Sequence, residues 1–502
     1  MKQLFCGGII HPVDTDAVYD SMLVEDGIIQ KIGNGIQEDT PHIRIDLHSA
    51  TVLPAFIDAH SHLSSAAMSL LQVDLSSCKS IDDILQRIAD FISASAGIVP
   101  SCINATGYDH NDLAEKRHPT RDELDRLGGI PIALTHRSNH FGVFNSAAIE
   151  MLGISSDTGL LQESDFVRAI RKMPMPSMES ILESYRAAQK MYASYGITIV
   201  QDGMIVKEML PIYKALLGTD ILYLDVMGYA SAEERRIVCE ALDGKSDKLV
   251  IHGYKAILDG SPQGKTAWMI DAYPNTDDYH AQGLLTDDIL REYIAAAIQD
   301  KKTILVHCNG DAAAEQMLRV AGQFPAEQIR KLRAVIVHAQ LLRREQLDEV
   351  KRLGMIPSFF VAHVYHYGDV HIETFGLSRA ETISPARSAQ RLGIPFTFHQ
   401  DTPVMPPNML ETIRDAVQRR TRSGIVLGES ERLTVDEAVR AVTMNVAYQY
   451  GIENETGSLA VGKRADFVIL ERDIYSIPAD QIASAKILAT YKNGSCIYKN
   501  EE

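Results

Sequence analysis

The chain has 502 residues and a formal net charge of −17, from 49 Lys and Arg residues and 66 Asp and Glu residues. Hydrophobic residues make up 45% and charged residues 23% of the chain, which is typical of a globular protein and excludes disordered, collagen-like and coiled-coil proteins. The acidic balance, without a block of basic residues, argues against a nucleic-acid or membrane partner. No stretch approaches the ~18 apolar residues of a membrane-spanning helix.

Cysteine usage and the amino-terminal residues bear on the cellular compartment. The six cysteines are scattered and form no C-x-x-C pair, which favours reduced thiols over a disulfide framework or a zinc ribbon. The first eight residues hold too few apolar side chains for the apolar region of a secretory signal. We therefore expect a cytoplasmic protein.

Strand patterns at both ends of the chain predict one small β domain. The turn signals Asp26-Gly27 and Asn493-Gly494 mark a hairpin in each half of this domain. The predicted strands are 17–25, 28–32, 42–47, 465–470, 487–491 and 496–498. We expect residues 1–50 and 454–502 to pair into a composite domain.

The middle of the chain, residues 51–453, alternates short β-branched runs with helical patterns, which indicates βαβ units and a parallel sheet. The eight predicted strands are 51–58, 197–202, 221–228, 249–257, 303–307, 334–338, 355–359 and 395–400. The predicted helices include 288–300, 312–321 and 343–353. Eight such strands are the count of a (β/α)₈ barrel. Since the gap after the first strand is too long for one crossover, residues 64–190 should hold an insertion, with strands at 101–107 and 130–135.

Polar side chains follow the predicted strands at the end where barrel enzymes carry their active sites. The first strand runs into His60 and His62, and residues two apart on a strand share a face. The fifth strand ends at His307, the sixth at His338, and the eighth runs into Asp401. Four imidazoles and a carboxylate suit a divalent ion, zinc first among the first-row metals.

Each of these residues also has a structural interpretation. A His-x-His pair arises easily by chance in a chain with 17 histidines, and His307 and His338 could be core histidines. Asp401 could be a turn residue before Thr402-Pro403. Their common position at strand ends, in barrel order, favours the metal site. Lys255 on the fourth strand is the weakest candidate, because an inward lysine more often pairs with a carboxylate.

Residues 53–62, Leu-Pro-Ala-Phe-Ile-Asp-Ala-His-Ser-His, resemble the first metal motif of the amidohydrolase superfamily. The chain resembles amidohydrolase family 3 in particular, which includes N-substituted formamide deformylase-like enzymes. Further matching segments lie along nearly the whole chain: Gly107-Tyr108-Asp109, Pro119-Thr120-Arg121, Asn139-His140 and on to residue 147, 255–260, 307–311, 337–340, Asp401-Thr402-Pro403-Val404 and 457–466.

The resemblance implies an α/β fold: a (β/α)₈ TIM barrel with a composite β-sandwich domain from both termini and an insertion after the first strand. It implies hydrolysis of an amide, N-formyl or cyclic amide bond of a small molecule by a metal-activated hydroxide. The metal ligands it implies are His60, His62, Lys255, His307, His338 and Asp401. Lys255 would be carboxylated by CO₂ and bridge two divalent ions. Asp401 would carry the proton, and His140 in the insertion would face the substrate.

Several residues depart from the family pattern beside these motifs. Ala55 replaces a glycine, Cys308-Asn309 follows His307 where small or apolar residues are usual, and His399-Gln400 stands in place of Gly-Ser before Asp401. Three further histidines, His363, His366 and His371, follow the seventh strand and either shape a substrate pocket or are solvated. These differences leave the substrate open.

Two other functions are compatible with the motifs. A deaminase or lactonase would use the same hydroxide on an amidine carbon or an ester. A metal-binding or regulatory relative would have lost turnover, although all six implied ligand positions are intact. We expect a small-molecule substrate and no nucleic-acid or membrane partner, and we leave a homodimer open.

Overall fold

The structure is a computed structural model that describes residues 1–94, 101–138 and 140–501. Asn139, part of one family motif, lies outside the described residues. Two compact units are present, a first unit of Met1–Leu63 with Gln189–Glu502 and a second unit of Ser64–Ala188. The second unit covers nearly the same residues as the predicted insertion; the domain boundaries themselves stay predictions.

Strands from both ends of the chain form one eight-stranded sheet of the first unit. Its strands are Lys2–Ile10, Tyr19–Glu25, Ile28–Gly33, Ile43–Asp46, Thr51–Pro54, Phe467–Leu470, Ile487–Lys492 and Ser495–Lys499. Antiparallel pairing of Thr51–Pro54 with Phe467–Leu470 joins the two ends of the chain. Phe5, Phe467 and Tyr491 pack in its core, with the last two rings stacked at 4.5 Å. The sandwich form of this domain stays a prediction.

The strand Lys2–Ile10 is absent from the sequence-based prediction. Gly7 and Gly8 interrupt its apolar alternation, which hides the pattern. In the structure, Gly7 has a φ of 73°, a conformation that glycine adopts without steric cost.

Eight parallel strands form the second sheet of the first unit, in chain order. These barrel strands are Phe56–Ile57, Ile197–Ile205, Asp225–Ser231, Leu249–Ile257, Thr303–Cys308, Val335–His338, Ile356–Phe359 and Thr397–Phe398. The sheet is curled, since His62 N–H, after the first strand, donates to the carbonyl oxygen of Thr402, after the eighth, at 2.9 Å. This sheet confirms the predicted α/β class and is consistent with a TIM-like barrel.

Two predicted barrel strands are placed differently in the structure, and the one predicted at 395–400 is shortened to Thr397–Phe398. The strand predicted at 51–58 is divided between the two sheets, because Ala55 N–H donates to Asp466 and Phe56 N–H donates to Gly196. The strand predicted at 221–228 is found at Asp225–Ser231. The residues just before it are held differently, since the amide oxygen of Gln189 accepts the backbone N–H groups of residues 223 and 224.

Helices follow most barrel strands. The α-helices of the first unit are Leu210–Leu217, Arg235–Leu242, Asp287–Asp300, Asp311–Ala321, Ala326–Leu332, Leu347–Leu353, His363–Phe375, Leu377–Ala380, Ala386–Arg391, Met409–Gln418, Val435–Ala441 and Met444–Tyr450, and its 3₁₀ helices are Lys207–Met209, Arg344–Gln346, Glu429–Glu431 and Ala479–Ser484. Asp287–Asp300 shows why these segments are helical: Thr286 accepts the N–H of Ile289 at the amino terminus, and acidic residues occupy the first turn.

The second unit contains a five-stranded sheet. Its strands, in order across the sheet, are Leu160–Gln162, Phe141–Phe144, Ile132–His136, Ile103–Tyr108 and Gln72–Asp74. Its helices are Ile81–Ala94, Arg121–Leu124, Asp125–Leu127 (3₁₀), Ser146–Leu152 and Glu163–Ile170, and the helices Leu63–Ser69 and Met178–Ser194 contain the boundaries between the units. Within the described residues, every helix is too short or too polar to cross a membrane.

Candidate metal centre

His60, His62 and Asp401 come together where the first and eighth barrel strands end. Nε2 of His60 lies 3.5 Å and Nε2 of His62 lies 3.4 Å from Oδ1 of Asp401. The three donor atoms lie within 4.8 Å of one another, so one ion could contact all of them. Residues from the first and the last of the barrel strands are therefore neighbours.

The donor set fits a divalent metal ion. Zinc–ligand bonds of ~2.0–2.1 Å in tetrahedral geometry place neighbouring donor atoms about 3.3 Å apart, close to both observed separations. Oδ1 of Asp401 is buried and has no hydrogen-bond partner among the described residues. Because a buried carboxylate oxygen without a partner is costly, a cation at this position would satisfy it.

Gln201, on the second barrel strand, fixes the His60 imidazole. Oε1 of Gln201 lies 2.6 Å from Nδ1 of His60, and Nε2 of Gln201 donates to the Ala59 carbonyl at 2.7 Å and to the Tyr450 hydroxyl at 2.8 Å. With the amide oriented in this way, Nδ1 of His60 must donate. Its Nε2 then keeps a lone pair for a metal, as in other histidine ligands whose second nitrogen is hydrogen-bonded.

Lys255 points at the same group from the fourth barrel strand. Its Nζ lies 3.1 Å from Nε2 of His60, and its side chain is buried. Burial lowers the pKa of Lys255 from 10.5 to about 8. With this pKa, about a tenth of the side chain is the neutral amine at pH 7.

His307 and His338 face each other at the ends of the fifth and sixth strands. Their ring centroids are 4.5 Å apart, and the rings of His338 and His60 are 5.6 Å apart. Oδ1 of Asp259 lies 3.1 Å from Nδ1 of His307 and also accepts the N–H of Asn309 at 2.9 Å. Asp259 therefore orients His307 with the lone pair on Nε2, a nitrogen that Nδ2 of Asn309 approaches at 3.3 Å.

Burial and the neighbouring groups set the protonation states. Burial holds the pKa values of His60 and His338 well below 6.5, so both imidazoles are neutral, the form that binds metals. Burial alone would raise the pKa of Asp401, but other interactions, the largest of them with the His62 side chain, hold it well below 3.8. His60 and His338 are therefore neutral imidazoles beside an ionised carboxylate.

The remaining histidines divide between the two units. His140 belongs to the second unit, where its side chain is 62% exposed and its Nδ1 lies 3.0 Å from Oε2 of Glu163; its role toward the substrate stays a prediction. His363 and His371 are buried, so the solvated interpretation is wrong for them. His366 is partly buried and pairs with Glu411 at 3.4 Å.

A sequence model described as the amidohydrolase family matches residues 44–498. The chain belongs to the amidohydrolase family. It is 27% identical to YtcJ of Bacillus subtilis (strain 168), over 99% of this chain and 100% of that protein. It is 25% identical to the N-substituted formamide deformylase of Arthrobacter pascens, over 91% of this chain and 90% of that protein.

Solved structures share the fold of this amidohydrolase. An uncharacterized metal-dependent hydrolase from Pyrococcus furiosus superposes with a TM-score of 0.78 at 24% identity, covering 95% of this chain and 100% of that chain. Membership of the amidohydrolase family confirms the prediction of a metal-dependent amidohydrolase that acts on carbon–nitrogen bonds.

Proposed function

We propose that this amidohydrolase hydrolyses an amide, N-formyl or cyclic amide bond of a small molecule, using two divalent ions, zinc by preference. The observation that carries the proposal is the meeting of His60, His62 and Asp401 at the end of a curled parallel sheet, with Lys255 in contact with the same group. His307 and His338 supply two more imidazoles for a second ion. The N-substituted formamide deformylase among the relatives supports N-formyl amines as the first substrates to examine.

A divalent ion held by these residues would lower the pKa of a water molecule toward ~7 and would polarise the substrate carbonyl. Asp401 is the residue that handles the proton. Oδ1 of its ionised carboxylate faces the metal ligands, and so it can accept a proton from the attacking water and pass it to the leaving nitrogen. His140 is proposed to hold the carbonyl oxygen of the substrate.

The chemistry of Lys255 supports a carbamate at this position. Its lowered pKa makes the neutral amine available, and only the neutral amine adds to CO₂. The product replaces an ammonium group among imidazoles with an anionic oxygen ligand. Lys255 lies 3.1 Å from Nε2 of His60, and as a carbamate it would be an anionic ligand for the ions instead of a competing cation.

Six cysteines without a disulfide among the described residues support a cytoplasmic location as part of this proposal.

A substrate panel tests the proposed function. Zinc-loaded protein would be offered N-formyl, N-acetyl and cyclic amides of the same amines, with an amidine and a lactone beside them, and the released acid, amine and ammonia would be measured. We expect release of formate or another carboxylic acid together with the amine. Ammonia release from the amidine alone would favour the deaminase, and hydrolysis of the lactone alone the lactonase. No turnover of any compound by fully loaded protein would favour the non-catalytic relative.

A further inference from the structure

A second cluster of imidazoles lies in the second unit, outside the barrel. The strands Ile103–Tyr108 and Ile132–His136 are parallel neighbours, with Tyr108 opposite His136. Asp109 and His110 directly follow the first of these strands, and His136 ends the second. The carboxyl ends of two paired parallel strands therefore bring three possible ligands together.

The separations of these ligands match a metal site. Nδ1 of His110 lies 3.1 Å from Nε2 of His136, and Oδ1 of Asp109 lies 3.4 Å from the same nitrogen and 3.8 Å from Nδ1 of His110. Neighbouring ligand atoms around tetrahedral zinc are about 3.3 Å apart. The three atoms are thus arranged with nearly the spacing found for His60, His62 and Asp401.

Neighbouring groups orient the cluster as they do in metal sites. The Ser138 hydroxyl lies 2.9 Å from Nδ1 of His136 and can accept the proton that this nitrogen carries when Nε2 binds a metal. The backbone N–H and the side-chain amide of Asn111 donate to Oδ1 of Asp109 at 2.9 and 3.1 Å. His110 and Asp109 are partly exposed, so an ion could enter from solvent.

His118 is a candidate for the fourth ligand. The ring of His118 stacks on that of His110 with centroids 4.3 Å apart, and the Tyr108 hydroxyl lies 2.9 Å from Nδ1 of His118. Tyr108 thereby leaves Nε2 as the His118 nitrogen that can turn to an ion. Burial, followed by the charges of His110 and His136, lowers the pKa of His118 to about 4, so this imidazole is neutral at neutral pH.

The cluster also has an interpretation without an ion. The backbone N–H of Ser138 lies 3.1 Å from Nδ1 of His136, a contact that favours the proton on Nε2, from which it would be donated to His110 or Asp109. Such a network would hold the two strand ends together but would gain nothing from added metal. The two interpretations therefore predict different metal contents for the protein.

We propose that Asp109, His110 and His136 bind one divalent ion of the zinc type in the second unit, with His118 or water as the fourth ligand. This ion is additional to the barrel centre and does not depend on the proposed substrate. The ion would tie the ends of two strands together, and because it binds the folded chain alone it would raise the stability of the second unit.

Metal content of the full-length protein tests this proposal. Protein stripped with a chelator, reloaded with Zn²⁺ and desalted would be compared with the double variant His110→Gln/His136→Gln and with the control Asp112→Asn, which changes an exposed neighbouring carboxylate outside the cluster. We expect about one zinc fewer per chain in the double variant and wild-type content in the control. A folded double variant with wild-type zinc content would overturn the proposal.

Two further measurements test the proposal if the double variant does not fold, and they distinguish zinc in the second unit from zinc in the barrel centre. The anomalous signal of zinc in wild-type crystals should show a peak between His110 and His136, and its absence would overturn the proposal. The double substitution His60→Asn/His62→Asn impairs the barrel centre. We expect this variant to retain one zinc ion per chain and to lose it when His136→Gln is added. Unchanged zinc content on that addition would count against the proposal.

Discussion

Nδ1 of His338 lies 3.1 Å from Nε2 of His399, and Nδ1 of His399 lies 2.9 Å from the hydroxyl of Ser358. If His338 is to bind a metal through Nε2, its Nδ1 must carry the proton and donate it to His399. His399 then donates from its own Nδ1 to Ser358. All three side chains are buried, so no water competes for these bonds. His399, which replaces a glycine of the family pattern, thus fixes the tautomer of a proposed ligand.

Replacing His399 should weaken metal binding rather than abolish the fold. Loss of such a hydrogen-bonding neighbour typically costs 10–100-fold in metal affinity, so His399→Phe should lose about that much in competition with a chelator. His280→Phe changes a partly exposed histidine of the same unit and should keep wild-type affinity. Equal affinities of His399→Phe and the wild type would show that His338 does not need this partner.

Lys255→Ala should lose metal and activity together, because the variant removes the proposed carbamate. Small carboxylic acids added to the variant should restore part of both, since they can occupy the space of the missing ligand. Intact-mass analysis of the native wild type should show one added CO₂. Lys248→Ala serves as the control and should keep its metal. Lys248 directly precedes the same strand, but its side chain pairs with Asp225. An unmodified Lys255 with a single tightly bound ion would contradict the binuclear centre.

Asp401→Asn should lower kcat by about 10²–10⁴-fold, the range for a positioned acid–base group. Asparagine keeps the shape and one oxygen ligand but cannot accept the proton. Metal analysis of the same preparation separates the two proposed roles of Asp401, because most of the metal should remain. A variant with both ions and full kcat would rule out the proton transfer.

His140→Ala should raise KM or lower kcat while metal content stays at the wild-type level, because His140 is proposed to contact the substrate and not the ions. Glu163→Gln is the matched variant, since it changes the partner of His140 at 3.0 Å and leaves the imidazole. Wild-type kinetics for His140→Ala would exclude the proposed contact.

The buried His371 should make stability depend on pH. Burial lowers its pKa from 6.5 to about 4, so between these values the unfolded chain binds a proton that the folded chain does not. Stability should therefore fall as pH decreases from about 6.5 to about 4, by as much as about 3 kcal/mol for this one group. His371→Phe should reduce this loss, and the phenyl ring can keep the packing on Phe375.

Urea unfolding at pH 7 and pH 5 measures the effect of this change. Both ring nitrogens of His371 lack hydrogen-bond partners among the described residues, so the phenylalanine variant should be no less stable at pH 7. His42→Phe alters a half-exposed histidine and should leave the pH dependence as in the wild type. If His371→Phe lost as much stability between pH 7 and pH 5 as the wild type, the pH dependence could not be assigned to His371.

Much of the barrel could be predicted because its strands are short, β-branched and separated by helical patterns. The ligand candidates could be predicted because barrel chemistry collects at strand ends. The contacts of Gln201, Asp259 and His399 could not, since each depends on a partner from another strand that is distant in sequence. Asp259 follows the predicted strand 249–257 and Gln201 is the penultimate residue of the predicted strand 197–202, and these positions are the signal that would have singled them out. The change of sheet at Ala55 was hidden because residues 52–57 form one apolar run, in which Pro54 is the single sign of a break.

That change of sheet connects the carboxy-terminal residues to the metal ligands. Thr51–Pro54 is paired with Phe467–Leu470. Ala55, which is only five residues before His60, donates its backbone N–H to the carbonyl oxygen of Asp466. A chain cut before residue 466 would leave Thr51–Pro54 without a neighbour on that side and would remove the anchor of the segment that carries His60 and His62. Truncation at the far end of the chain is therefore expected to behave like damage to the active site, with ion retention declining before the barrel itself unfolds.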